Sequence, residues 1–250
     1  MFPIRDDQPR TLLPWVNYLI IAANLAVFGY EISLGLHSRE LVDFYLRYGV
    51  IPHNFELAFS GSGQVTIAGA FLTILTSMFV HGSILHLLGN VWVLWIFGDN
   101  IEDHCGHIVY PFFYLICGGL ASLMQIYANP SSQIPEVGAS GAIAGVLGGF
   151  LLRYPQAKVQ LLIVFGMLAN VAWWSAWSVL LFWFGMQVLG TAWTQLLYNH
   201  GLKDIGGVAY WAHVGGFVSG IVLIKVIPGR TQYAHGGWFT KEGKEVLPKQ

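Results

Sequence analysis

Apolar residues in this chain come in long runs separated by short polar stretches, and the length of each run limits what it can become. The first run, Pro14–Leu34, is long enough to cross a bilayer, since a helix rises ~1.5 Å per residue against a hydrocarbon core of ~30 Å. It has no clear cleavage site and is read as a span that stays. Gly35–Gln64 is polar and mixed, but within it Leu41–Tyr48 repeats apolar residues at helical spacing beside Asp43 and Arg47, which predicts a helix lying on the membrane surface. Val65–Gly98 is too long for one untilted span. It divides at His81-Gly82-Ser83 into an interfacial or dipping segment, Ile67–Val80, and a span, Ser83–Gly98. Asp99–His107 follows as a polar loop containing Glu102 and Asp103. Further spans are expected over Ile108–Ala128, Gly138–Leu152, Trp174–Leu197 and Ile205–Ile227, while Val159–Ala172 reads as either interfacial or an extension of the fifth span.

The expected fold class is therefore all-α, a polytopic bundle of about six membrane-spanning helices. It divides into an N-terminal segment (1–13), a membrane-embedded domain (14–227) and a polar tail (228–250). Composition agrees, with 55% hydrophobic and only 10% charged residues. A formal net charge of -1 gives no basis for nucleic-acid binding. Charge placement says more. With the N-terminus cytoplasmic, Arg5, Arg10, Arg153, Lys158, Lys225, Arg230, Lys241, Lys244 and Lys249 fall inside, and Arg39, Arg47 and Lys203 outside, so the bias favours both termini inside. Cys105 and Cys117 form neither a disulfide framework nor a metal-ligand spacing.

Polar residues inside spans are costly and mark candidate chemistry. Ser140 lies among glycines, in Gly138-Ala139-Ser140-Gly141, at the head of an apolar run. There the unpaired N–H groups and the helix dipole favour a developing negative charge. His86 and Asn90, four residues apart, share one helix face. With the N-terminus inside, Ser140, His86 and His213 all fall within ~12 Å of the outer surface. Gly141, Gly145 and Gly149 in one span, and Ala212, Gly216 and Gly220 in another, let two helices approach closely. A Ser140–His213 hydrogen bond across that seam is sterically open, as a catalytic dyad or as a bond that merely holds the bundle. The acidic residues all fall in loops, tails or span ends, which argues against a Ser-His-Asp triad. H-E-x-x-H is absent, and His104-Cys105-Gly106-His107 reads as an ordinary loop, so neither metal nor cofactor is expected. Water would reach the site through a polar pocket lined by His81, Ser83 and the residues above.

Four segments resemble the rhomboid intramembrane serine proteases in order and spacing: His81-Gly82-Ser83 through Asn90, Phe97-Gly98-Asp99-Asn100-Ile101-Glu102, Gly138-Ala139-Ser140-Gly141, and Ala212-His213-Val214-Gly215-Gly216. The resemblance covers about Leu72–Ile227. It implies a six-helix bundle that cleaves transmembrane helices of other proteins near the outer face, with Ser140 as nucleophile and His213 as base. By the same resemblance His86 and Asn90 belong to the oxyanion site, Gly138 precedes the nucleophile, and Glu102 is a structural glutamate. The implied partners are transmembrane protein substrates and membrane lipid, in a bacterial-type plasma membrane with both termini cytoplasmic; oligomeric state stays open. Two positions depart from the pattern: Leu72-Thr73 stands where many members have Trp-Arg, and Ala144 where some have an aromatic ring on the histidine. The competing class is a catalytically silent rhomboid-like protein that binds and escorts membrane helices. A transporter would carry charged residues within its spans and an internal repeat, and neither is found.

Overall fold

Helix starts are set by the polar residues that meet the first unpaired N–H groups. In the computed structural model, which describes residues 2–166, 168–200, 208–234, 237–240 and 245–246, Ser38 caps α2 (Arg39–Tyr48), Thr66 caps α4 (Ile67–Ser77) and Ser83 caps α5 (Ile84–Cys105). The first apolar run is α1 (Trp15–Ser33), preceded by Pro14, which offers no cap. Its cap comes instead from α5: Glu102, fully buried, accepts the N–H groups of Val16 at 3.1 Å and Asn17 at 2.7 Å. A carboxylate there also meets the positive end of the helix dipole. The remaining helices are α3 (Pro52–Phe59), hidden in the polar stretch after α2, then α6 (Val109–Ala128), α7 (Ser140–Arg153), α8 (Ala176–Asn199) and α9 (Tyr210–Val226).

Among the described residues α1, α5, α6 and α8 are long and apolar enough to cross a membrane, whereas α4, α7 and α9 are shorter apolar helices. The α7–α9 pair packs most extensively. Its small-residue faces meet as expected: a methyl at Gly216 would run into the Gly141 carbonyl, and one at Gly220 into the Gly145 carbonyl. Backbone contact at that distance leaves no room for side chains and brings the two helix ends together.

Three expectations are corrected. Asp99–His107 is not a loop, because α5 runs through it to Cys105. Its charges are buried against the N-terminal segment: Asp103 accepts from the Thr11 N–H and hydroxyl at 3.0 and 2.6 Å, and Arg10 pairs with Asp99 at 2.9 Å. The all-α class is also too simple. Val159–Ala172 does not extend the fifth span but forms most of a hairpin, β2 (Lys158–Phe165) and β3 (Leu168–Ser175), and β2 also pairs antiparallel with β1 (Phe2–Asp6). Val159 and Leu161 are buried while Lys158 between them and the helix is exposed, the two-residue alternation of a strand. A second small sheet, β4 (Thr231–Ala234), β5 (Gly237–Thr240) and β6 (Glu245–Val246), lies in the tail. The start of the last expected span, 205–207, lies outside the described residues, and its helix is seen from Tyr210.

Candidate active site

Ser140 is the first residue of α7, and what aims it is the glycine two positions earlier. Gly138 has φ +129, a conformation that L side chains rarely adopt, and its N–H donates to the Ser77 carbonyl at 2.9 Å, which ties the turn to the end of α4. A side chain here would also strike the His86 ring. Conformation and space both require glycine.

Across the α7–α9 seam His213 lies with Nε2 2.8 Å from Ser140 Oγ. The other ring nitrogen, Nδ1, is 2.8 Å from Gln187 Oε1 on α8. Gln187 is buried, and its Nε2 donates to the Trp183 carbonyl at 3.3 Å, so its oxygen is the atom left for the histidine. An oxygen can only accept, so Nδ1 carries the imidazole proton. Nε2 then presents its lone pair to Ser140, and the hydroxyl donates to it. This is the protonation pattern in which a histidine can take a proton from a serine. Trp183, one turn before Gln187, sets its ring beside His213 with centroids 5.8 Å apart. Ala144, fully buried and close to Gly216, leaves no space for an aromatic ring on α7, and the ring against the histidine comes from α8 instead.

His86 and Asn90 stand on the face of α5 toward Gly138. A Cβ built on that glycine would lie 2.7 Å from His86 Nε2 and 3.7 Å from Asn90 Nδ2. All five residues singled out in the sequence, Ser140, His213, His86, Asn90 and Gly138, therefore converge at the N-terminal end of α7. Their side-chain donors and the unpaired N–H groups of the helix can together stabilise an oxyanion beside the serine. A cavity of about 30 Å³ opens beside Ser140, lined by Ser77, Met78, Glu136, Val137 and Ala212 among others, with room for one or two waters. Of the residues expected to line a water pocket, Ser140 does and His81, Ser83, His86, Asn90 and His213 do not. His81 is fully buried and Ser83 is the cap of α5.

Gln187 was not anticipated from the sequence, although it is a polar residue in the middle of an apolar run and so carried the same signal as His213. His104 and His107 hold structural contacts: His104 Nδ1 accepts from Arg153 at 3.0 Å, and His107 Nδ1 donates to Glu102 at 2.6 Å.

Outside the spans, Glu136 pairs its backbone with Val50, at 2.9 Å from the Val50 N–H and 2.7 Å to the Val50 carbonyl. Burial pushes its carboxyl from 4.5 up to about 8, with a Gln125 hydrogen bond opposing the rise. A carboxyl with a raised folded pKa binds more protons folded than unfolded. Its contribution to stability is whole below about 4.5 and is lost as pH rises to about 8. Thermal unfolding of the detergent-solubilised protein should therefore show wild type losing ground to Glu136→Gln across that window; parallel curves would refute the assignment.

The Rhomboid domain family matches residues 68–230, more than half of the chain. The chain belongs to the rhomboid family. It is 27% identical to RHOMBOID-like protein 4 of Arabidopsis thaliana, over 93% of this chain and 56% of that protein. It is 29% identical to Rhomboid protein 1, mitochondrial, of Saccharomyces cerevisiae, over 95% of this chain and 61% of that protein. A shorter match, 25% identical over 61% of this chain and 37% of the other, is to Presenilin-associated rhomboid-like protein A, mitochondrial, of Danio rerio. The chain thus spans about 56–61% of the first two relatives' length. Rhomboid membership and the candidate spans make it a multi-pass membrane protein.

Proposed function

We propose that this rhomboid is an intramembrane serine endopeptidase that hydrolyses peptide bonds in or near transmembrane helices of other membrane proteins. The observation that carries the reading is Ser140 Oγ at 2.8 Å from His213 Nε2, with Nδ1 held by Gln187. Ser140 Oγ attacks the scissile carbonyl carbon while its proton passes to His213 Nε2. The tetrahedral oxyanion is met by His86, Asn90 and the Ser140 N–H. Collapse breaks the C–N bond, and the amine leaves with the proton from His213. Water then enters, gives a proton to His213 and attacks the acyl-enzyme; loss of Ser140, reprotonated by His213, completes hydrolysis.

A helical substrate hides its carbonyls in internal hydrogen bonds, so substrates with Gly or Pro near the cut are favoured, because their helices unwind at lower cost. Six crossings, with α7 and α9 among them, would set the site just below the outer surface. The membrane we propose is a bacterial-type plasma membrane, and the Lys and Arg bias supports both termini on its cytoplasmic side. The competing reading, a silent helix-binding protein, gives no reason for the histidine tautomer that Gln187 imposes.

The test is fluorophosphonate labelling of the solubilised protein. Labelling in wild type that is lost in Ser140→Ala and His213→Ala supports the protease; an unlabelled, folded wild type favours the helix-binding class. Gln187→Leu should lower kcat about tenfold, the worth of one hydrogen bond, and leave KM near its wild-type value. An unchanged kcat in kinetics on a transmembrane peptide would remove Gln187 from the machinery.

A further inference from the structure

A buried acid stands where none was expected. Glu31, near the end of α1, is 2% exposed. Its Oε1 accepts the backbone N–H of His81 at 3.0 Å, from a residue fifty positions later, and among the described residues Oε2 has no partner. A carboxyl is costly to bury, and nothing in the hydrolytic steps above uses it.

His81 lies in the short non-helical link between α4 and α5 and is fully buried, so each of its polar atoms needs a partner. The N–H goes to Glu31, and the carbonyl accepts the Tyr45 hydroxyl at 3.3 Å. Ring Nδ1 is 3.2 Å from the Phe79 carbonyl, which can only accept, so Nδ1 holds the proton and Nε2 is an acceptor. Facing Nε2 at 3.0 Å is Asn90 Nδ2. One amide hydrogen of Asn90 is thereby committed to His81. The other, on a nitrogen 3.7 Å from where a Gly138 side chain would begin, is left for an incoming oxygen. With that nitrogen committed, the amide cannot flip to present its carbonyl, which would repel an oxyanion.

We propose that Glu31 is a positioning residue for the oxyanion donor: by holding the His81 backbone it fixes the imidazole against which the Asn90 amide is oriented. The inference rests on the protease reading. It connects α1 to the site through one residue, Glu31 to His81 to Asn90, with no contact to substrate.

The test is steady-state kinetics of the full chain reconstituted in vesicles with a fluorogenic single-span peptide, alongside thermal unfolding. Glu31→Leu should lower kcat about tenfold or more with KM within about twofold. Glu31→Gln keeps an oxygen acceptor and should stay within about threefold of wild type. In an Asn90→Ala background Glu31→Leu should cost less than about a further twofold, because its route is already cut. His81→Phe, which leaves the Glu31 carboxyl in place and removes the acceptor for Asn90, should reproduce the kcat loss and reads the relay even if Glu31→Leu does not fold. Wild-type kcat in His81→Phe or Glu31→Leu overturns the proposal, as does an undiminished Glu31→Leu effect without Asn90. A folded wild type that turns over no substrate overturns the protease reading itself, a separate failure.

Discussion

Ser140→Ala and His213→Ala should each lower kcat for cleavage of a reconstituted transmembrane peptide by roughly 10⁴–10⁶-fold, and the double variant should fall no further. Ser140 and His213 act as one unit. Without the imidazole the hydroxyl keeps its proton and is a poor nucleophile, and without the hydroxyl the imidazole has nothing to activate. The loss appears in kcat and leaves substrate binding, read as KM or as pull-down of the peptide, close to wild type. Additive losses in the double variant would mean that the 2.8 Å contact is only a link between α7 and α9.

The second large effect belongs to α5. His86→Ala and Asn90→Ala should each reduce kcat by roughly 10²–10³-fold, equivalent to ~2.7–4 kcal/mol, with little change in KM. The donors meet charge that exists only in the transition state, so their loss is invisible to ground-state binding. Fluorophosphonate labelling should slow in the same variants, because the phosphonyl oxygen occupies the same pocket. Rates within tenfold of wild type for both would move the oxyanion to the backbone N–H groups of α7 alone.

Much of the candidate site could be read from the sequence because water-seeking side chains are conspicuous in apolar runs. Ser140, His213, His86 and Asn90 stand out for that reason, and the glycine stripes foretell the seam that joins the first two. Gln187 carried the same signal, but a neutral amide beside a histidine is easily passed over when an acid is sought as the third group. Glu31 is one of the acids that fall at span ends, where a charge draws no notice; its partner, the His81 N–H, belongs to a link fifty residues away, and no local pattern reports such a pairing. The same limit explains Asp99–His107, whose charges resemble a solvated loop until Thr11, Arg10 and Val16 are brought against them. The β2–β3 hairpin was obscured because hydropathy measures burial and cannot tell a short buried strand from a piece of helix.

The pairing of β1 with β2 sets a schedule for synthesis. Arg5 donates to Gln160 across 155 positions of chain, so at ~5–20 residues per second the first strand waits roughly 8–30 s for its neighbour to be made. By then every helix from α1 to α7, including the nucleophile, has been translated. The sheet therefore closes late, and until it does the backbone N–H and C=O groups that the first strand offers to β2 remain open to chaperones, to other nascent chains and to proteases in the surrounding fluid.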